Sequence, residues 1–189
     1  MRQPSLQTLG HLQGYNLMDA SSKFIGTLPT KPKELLAKFD ELKIYYEKYE
    51  HPPLFTVNDA KKYQKRMVGT HVKNLFLRDR KKRYFLLVTE QDTKINMKTL
   101  HHKIKSDRLS FGSHERLWQH LGVRPGAVSP LALINDVKKS VTLLFQDILQ
   151  TEQKIYFHPL VSDQTIGVRL CDLDVFFKFT GHQAQIIKL

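Results

Sequence analysis

Within Gly69-Thr70-His71-Val72-Lys73-Asn74-Leu75-Phe76-Leu77-Arg78-Asp79, a cation and an amide stand side by side where a glycine-led approach enters an apolar strand. At a strand edge Lys73 can hold a phosphate or polarise a carbonyl oxygen, and Asn74 can bond an amine or a hydroxyl. A solvated lysine beside a turn asparagine has the same composition, so the pair alone specifies a polar site and no reaction. A second segment, Gly122-Val123-Arg124-Pro125-Gly126-Ala127-Val128-Ser129-Pro130-Leu131, is a rigid loop rich in glycine and proline. Glycine lets backbone approach a ligand closely, and successive amides can bind an oxyanion or an α-carbonyl; many loops of this kind only connect elements. In a third, Tyr156-Phe157-His158-Pro159-Leu160, a histidine sits between an apolar strand and a proline. His158 can orient water, bond substrate or shape a pocket, or serve as a half-buried packing residue.

Charge adds a fourth feature. Lys61, Lys62, Lys65 and Arg66 precede the Lys73 segment, and Arg78, Arg80, Lys81, Lys82 and Arg83 follow it, interrupted only by Asp79. If a hairpin brought both clusters to one mouth, they would contact phosphates and give strongly salt-dependent affinity. Over the whole chain, 30 Lys and Arg against 18 Asp and Glu leave a formal charge of +12, which makes a polyanion the first partner to consider.

Other chemistries lose their main support. There is no phosphate-binding glycine loop followed by Lys-Ser/Thr, no GxSxG elbow, no HExxH and no paired-cysteine spacing. Cys171 is the single cysteine, read as an inert core residue on the last helix, and although nine histidines leave a His/carboxylate site formally open, no metal or cofactor is expected. No apolar run approaches the roughly 20 residues that span a bilayer, and the start lacks a secretory hydrophobic stretch, so a soluble cytoplasmic protein without membrane contact is expected.

The elements that must position these residues follow from spacing. Residues 1–31 show no sustained period and read as an extension that is either partly disordered or packed on the domain, which occupies residues 32–189. Pro32 suits a first helical position, and Leu35, Leu36, Phe39 and Leu42 recur at helical spacing. Ile44 to Tyr49 reads as a strand stopped by His51-Pro52-Pro53, and Thr56 as the cap of a short helix that runs through Asp59 to Arg66. A hairpin is expected with arms Val72–Leu77 and Tyr84–Thr89. Asn96 and Ser113 read as helix caps and Gly122 as a terminator, with short strands around Ser110, Ile134, Leu143 and Phe157. Asp172 to Thr180 reads as a helix with Leu173, Phe176 and Phe177 inward, Gly181 ending it, and Ile186-Ile187 as a last strand. The fold class is therefore α+β, one domain with a mixed central sheet flanked by helices.

Taken in order, HPPLFTV, THVKNLFLRD, LGVRPGAVSPLALIND, FHPL and TGHQAQIIKL resemble the prolyl-tRNA deacylase family known as ProXp-ala or PrdX. These proteins are freestanding relatives of the editing domain of bacterial prolyl-tRNA synthetase, within the YbaK superfamily. The resemblance covers essentially residues 32–189. It implies metal-independent hydrolysis of the ester joining alanine to tRNA for proline, a product that steric exclusion of a smaller side chain cannot prevent. It assigns Lys73 to the terminal adenosine phosphate or nearby backbone and the Gly126, Ala127, Val128, Ser129 and Pro130 loop amides to the substrate carbonyl. Asn74 and His158 then line the aminoacyl pocket, with His71, Phe157 and Pro159 as further substrate contacts. Lys61, Lys62, Lys65, Arg66, Arg80, Lys81 and Lys82 are expected to bind tRNA. Prolyl-tRNA synthetase is a further expected partner, and a monomer the expected state. The chain departs from the family at Ser162-Asp163, where an Asn-Asp pair is expected, which bears on amino-acid preference. Two other readings are an editor of tRNA mischarged with cysteine or serine, and a tRNA- or synthetase-binding module without catalysis.

Overall fold

Pro32 opens helix α1 (Pro32–Glu41), where its missing N–H is no loss, and the Glu34 carboxylate accepts from the Lys31 amide at 2.8 Å. Leu35 and Phe39, one turn apart, are fully buried. The structure is a computed structural model that describes residues 20–54 and 57–189. Strand β1 (Tyr46–Glu50) stops before His51-Pro52, as the prolines require. Helix α2 (Val57–Lys61) and a 3₁₀ turn at Gln64–Arg66 divide the segment expected as one helix; its expected cap, Thr56, lies outside the described residues.

Strands β2 (Thr70–Arg78) and β3 (Tyr84–Glu90) form the hairpin, in register from Val72 opposite Glu90 to Arg78 opposite Tyr84. At its turn Asp79 is buried and accepts from both the amide and Nε of Arg83, so it fixes the turn instead of merely diluting charge. Asn96 and Ser113 cap α3 (Met97–Lys103) and α4 (His114–Leu121) by accepting from the Lys98 and Arg116 amides. Gly122 ends α4 with φ 61°, a left-handed cap that glycine adopts at least cost.

The remaining strands are β4 (Ser110–Phe111), β5 (Val141–Gln146), β6 (Lys154–Phe157), β7 (Gln164–Arg169) and β8 (Gln185–Ile187), with α5 (Leu170–Thr180) between the last two. The eight-stranded sheet runs β1-β7-β6-β2-β3-β5-β8, with β4 also paired to β2. The β2/β6, β3/β5 and β5/β8 pairs are parallel and the others antiparallel, so the sheet is mixed and the fold α+β. Alternation sends Phe76, Leu86, Val88 and Phe145 into the main core, shared with Leu35, Phe39, Leu117 and Phe176 of the helices. Leu77, Phe85, Leu87 and Leu144 face the other way, onto Leu100 of α3.

Two expectations are corrected and one strand is added. Ile134 lies in a 3₁₀ helix (Pro130–Asn135) rather than a strand: Pro130 cannot donate to a ladder, and Asn135 ties the turn to the Leu121 carbonyl at 2.8 Å. Strand β7 is absent from the sequence pattern, because Gly167 breaks its β-branched run; the glycine faces Tyr156 across the ladder, where a Cβ would come within 2.6 Å of the ring. Cys171 is exposed on α5 and is no part of the core.

Of the extension expected over residues 1–31, the described residues 20–31 pack on the domain. Ala20 and Leu28 are buried in the main core, and the Ser22 amide and hydroxyl both donate to Asp163, at 2.8 and 2.7 Å. No helix among the described residues is long and apolar enough to cross a membrane.

Candidate active site

The parallel pairing of β2 with β6 sets His71 opposite Tyr156 and so joins the KN segment to the FHP segment. A cleft of about 420 Å³, including its open mouth, lies where these strands meet. Asn74, Val72 and His71 line it from β2, Tyr156, Phe157 and His158 from the end of β6, and Thr165 from β7. Leu54, Ala60, Tyr63, Gln64 and Met67 complete the wall.

Hydrogen bonds fix several polar groups in and behind the cleft. The Asn74 Oδ1 is buried without a hydrogen-bond partner among the described residues, a costly arrangement unless a ligand or water supplies a donor. His158 Nδ1 lies 2.7 Å from the Gln164 carbonyl; because a carbonyl only accepts, Nδ1 carries the proton and Nε2 is left as an acceptor. Burial pushes the His158 pKa down to about 4, so the ring is neutral near pH 7. His51 repeats the logic: its Nδ1 donates to the Pro52 carbonyl at 2.9 Å, and its Nε2 accepts from the Thr165 hydroxyl at 2.8 Å. The two imidazoles meet edge to face with centroids 5.8 Å apart. His71 stacks on Tyr156 at 4.8 Å with an interplanar angle of 10°, and burial lowers its pKa too.

The Gly126–Pro130 loop reaches the site indirectly. The Ser129 hydroxyl, fully buried, donates to the His158 carbonyl at 2.8 Å, which ties the loop to the histidine. Gly126 has φ 91°, and among the described residues the amides of Gly126, Val128 and Ser129 donate no hydrogen bond within the chain. Ala127 and Pro130 are buried, and the Ala127 amide is spent on the Arg124 carbonyl. Pro159 is buried behind His158.

Lys73 and Asn74 do not converge. Neighbours on a strand face opposite ways, so Asn74 enters the cleft while Lys73 projects across the sheet and its Nζ donates to the Thr93 carbonyl. The basic residues also separate. Lys61, Lys62, Lys65 and Arg66 are exposed along the segment whose Ala60, Tyr63, Gln64 and Met67 form the cleft wall, with Lys61 paired to Asp92 at 2.7 Å. Arg80, Lys81 and Lys82 are exposed at the far end of the hairpin, roughly 26 Å along the strand from His71, so the two clusters do not share one mouth.

Tyr63 and Thr165 line the cleft without a signal in the sequence pattern, and His51 packs against Tyr63, Thr165 and His158 behind it. His51-Pro52-Pro53 reads as a turn, and Thr165 belongs to the strand that the pattern does not reveal. Among the described residues no group of three His, Cys, Asp or Glu side chains could hold a metal ion.

Comparison with known proteins establishes the family. Residues 51–176 match the aminoacyl-tRNA editing domain family. The chain is 39% identical over 156 residues to the prolyl-tRNA editing protein ProX of Acetoanaerobium sticklandii, covering 82% of this chain and 95% of that one. It is 34% identical over 158 residues to prolyl-tRNA synthetase associated domain-containing protein 1 of Mus musculus, covering 82% and 94%. A crystal structure described as a candidate trans-editing enzyme for prolyl-tRNA synthetase superposes with a TM-score of 0.62 at 14% identity, over 84% of this chain and 96% of that one, which shows a shared fold. By the extent of the family match and the level of these identities, the chain belongs to the aminoacyl-tRNA editing domain family and is a hydrolase of that class.

Proposed function

We propose that the protein is a trans-acting deacylase that hydrolyses alanine wrongly attached to tRNA for proline. The observation that carries this reading is the cleft itself: a recess of mixed polar and apolar lining with Asn74 and His158 on its wall, rimmed by exposed cations on one side. Such a site suits a short side chain on the end of a polyanion. Similarity to a prolyl-tRNA editing protein supports the choice of tRNA, while the choice of alanine rests on the motif resemblance.

In the proposed reaction, a water oxygen adds to the ester carbonyl carbon, and the carbonyl electrons move to oxygen. Collapse of that adduct breaks the bond to the ribose oxygen, which takes up a proton, leaving free alanine and tRNA with its terminal hydroxyls restored. No metal, cofactor or covalent enzyme intermediate takes part. The amides of Gly126, Val128 and Ser129, which donate no hydrogen bond among the described residues, are suited to the developing oxyanion. Asn74 and His158, with His71 and Phe157, contact the aminoacyl group. Lys73 exchanges its Thr93 carbonyl for a phosphate or backbone oxygen of the tRNA end, and Lys62, Lys65 and Arg66 meet the neighbouring phosphates. We further propose a cytoplasmic monomer that acts near prolyl-tRNA synthetase.

Assay of the purified protein on tRNAs carrying alanine, serine or cysteine tests the proposal. Release of alanine from tRNA for proline supports it. Release of only another amino acid, or binding without release, refutes it.

A further inference from the structure

The two cation clusters that do not share the cleft mouth are joined on the far side of the sheet. Helix α3 covers the face opposite α1 and α5, packing Leu100 on Leu77, Phe85 and Leu87. The segment leading into it is tied to the cleft wall, for Lys61 pairs with Asp92 at 2.7 Å and Gln64 donates to Gln91 at 2.9 Å. The segment leaving it is tied to the hairpin turn, where the Arg83 guanidinium donates to the Lys105 carbonyl at 3.5 Å and Lys81 lies 3.7 Å from Asp107. Between these ties Lys94, Lys98, Lys103, Lys105 and Arg108 are exposed, and none forms an ion pair among the described residues. Lys73 reaches the same side, with its Nζ on the Thr93 carbonyl. The acids along the way are engaged: Asp92 by Lys61, Asp107 by Lys81, buried Asp79 by Arg83, and Glu90 by the Asp92 amide. A continuous cationic track therefore runs from the cleft rim along α3 to the hairpin turn.

The track runs the length of the hairpin, roughly 26 Å, which is of the same order as one turn of a nucleic-acid duplex, about 34 Å. Lysine is depleted at protein–protein interfaces and is a regular partner of phosphate oxygens, so a row of unpaired lysines fits an RNA backbone better than an acidic protein. Resting on the deacylase reading above for which end of the tRNA enters the cleft, we propose that the tRNA duplex lies along α3. Its 3′ end turns past Lys62, Lys65 and Arg66 into the cleft, and its backbone phosphates follow Lys94, Lys98 and Lys103 toward the hairpin turn. Contacts of this kind position the substrate without reading bases, so the stem is held by charge and length and not by its sequence.

The test sets the double variant Lys98→Gln, Lys103→Gln against a control of equal charge on the opposite side of the sheet, Lys33→Gln, Lys178→Gln, whose lysines are exposed on α1 and α5. Filter binding of uncharged tRNA for proline is measured across a salt series, and deacylation is followed on alanyl-tRNA and on the alanyl ester of the 3′-terminal trinucleotide, which is too short to reach α3. The α3 variant is expected to weaken tRNA binding at least about fivefold at low salt and to flatten the salt dependence by a slope of about 0.7–0.9 for each phosphate no longer neutralised. It should raise KM for alanyl-tRNA more than it lowers kcat, and so shrink the advantage of alanyl-tRNA over the trinucleotide ester, whereas the control should leave that advantage as it is. A salt slope unchanged in the α3 variant, or a loss no larger than the control shows, overturns the proposal while leaving the deacylase reading intact. Binding that depends on α3 without release of alanine from either ester refutes the deacylase reading and leaves the track in place.

Discussion

The hydroxyl of Ser129 and the carbonyl of His158 are joined by a 2.8 Å hydrogen bond that is the direct link between the Gly126–Pro130 loop and the cleft. Ser129 is fully buried, so water cannot replace the bond. Ser129→Ala is expected to lower stability by about 1–3 kcal/mol, the cost of an orphaned buried acceptor. It should also lower kcat more than it raises KM, because loop amides and histidine lose their fixed relation. Denaturant unfolding and steady-state deacylation check the two effects.

Asp136 anchors the chain just after the 3₁₀ helix. Its Oδ1 accepts from the Ser140 amide and hydroxyl, and its Oδ2 from the Val141 amide at 2.8 Å and from His182 Nε2 at 3.2 Å. Burial opposes its ionisation, yet these donors outweigh burial and hold the carboxyl at about 2. A carboxyl depressed in the folded state contributes stability above its ordinary value near 3.8, lost as the pH falls toward 2. Asp136→Ala should remove about 3 kcal/mol or more at neutral pH, leaving several donors unpaired, and should flatten that acid limb; urea titrations at several pH values measure both.

His158 runs the other way in chemistry and the same way in pH. Its pKa is lowered on folding, so between about 4 and 6.5 the unfolded chain binds the extra proton and stability rises with pH across that window. Activity should likewise show no ionisation of His158 between about pH 6 and 8. Nuclear magnetic resonance titration of the imidazole should find an Nδ1–H tautomer with no midpoint above about pH 5.5.

Much of this frame is legible in the sequence, for local reasons. Pro32, Asn96, Ser113, Gly122 and Gly181 act within one turn of their own positions, and the β2–β3 hairpin carries its own period. What is not legible depends on partners distant in sequence. The β7 strand exists because Gly167 admits the Tyr156 ring, and the His51-Thr165 contact spans a separation of 114 residues. The Lys73-Asn74 pair stands out as a polar pair on a strand, but strand alternation, applied to it, already places the two side chains on opposite faces. The cation clusters fail to meet for an equally simple reason: a hairpin separates the residues before its first strand from those at its turn.

That separation predicts unequal roles in binding. Lys62→Glu, Lys65→Glu and Arg66→Glu together should weaken tRNA binding and flatten its salt dependence, by a slope of about 0.7–0.9 for each phosphate no longer neutralised. The same change at Arg80, Lys81 and Lys82 should have a smaller effect on a substrate cut down to the acceptor stem. Filter binding across a salt series distinguishes the two.

The described part of the extension is expected to support the site. The Arg124 guanidinium donates to the Thr27 hydroxyl at 2.6 Å and packs over the Phe24 and Trp118 rings, while Ser22 holds Asp163 beside the His158–Thr165 wall. Removing residues 1–28 should lower the thermal midpoint and reduce kcat, whereas removing residues 1–19 leaves these interactions in place. Thermal unfolding and deacylation of the two truncations provide the comparison.

The most direct test of the central claim is a deacylation time course with purified protein on tRNA for proline charged with alanine and, separately, with proline. Rapid release of alanine, little release of proline, and loss of alanine release in Asn74→Leu without loss of folding are the expected results. Stable alanyl-tRNA in the presence of folded protein, or equal release of both amino acids, would contradict it.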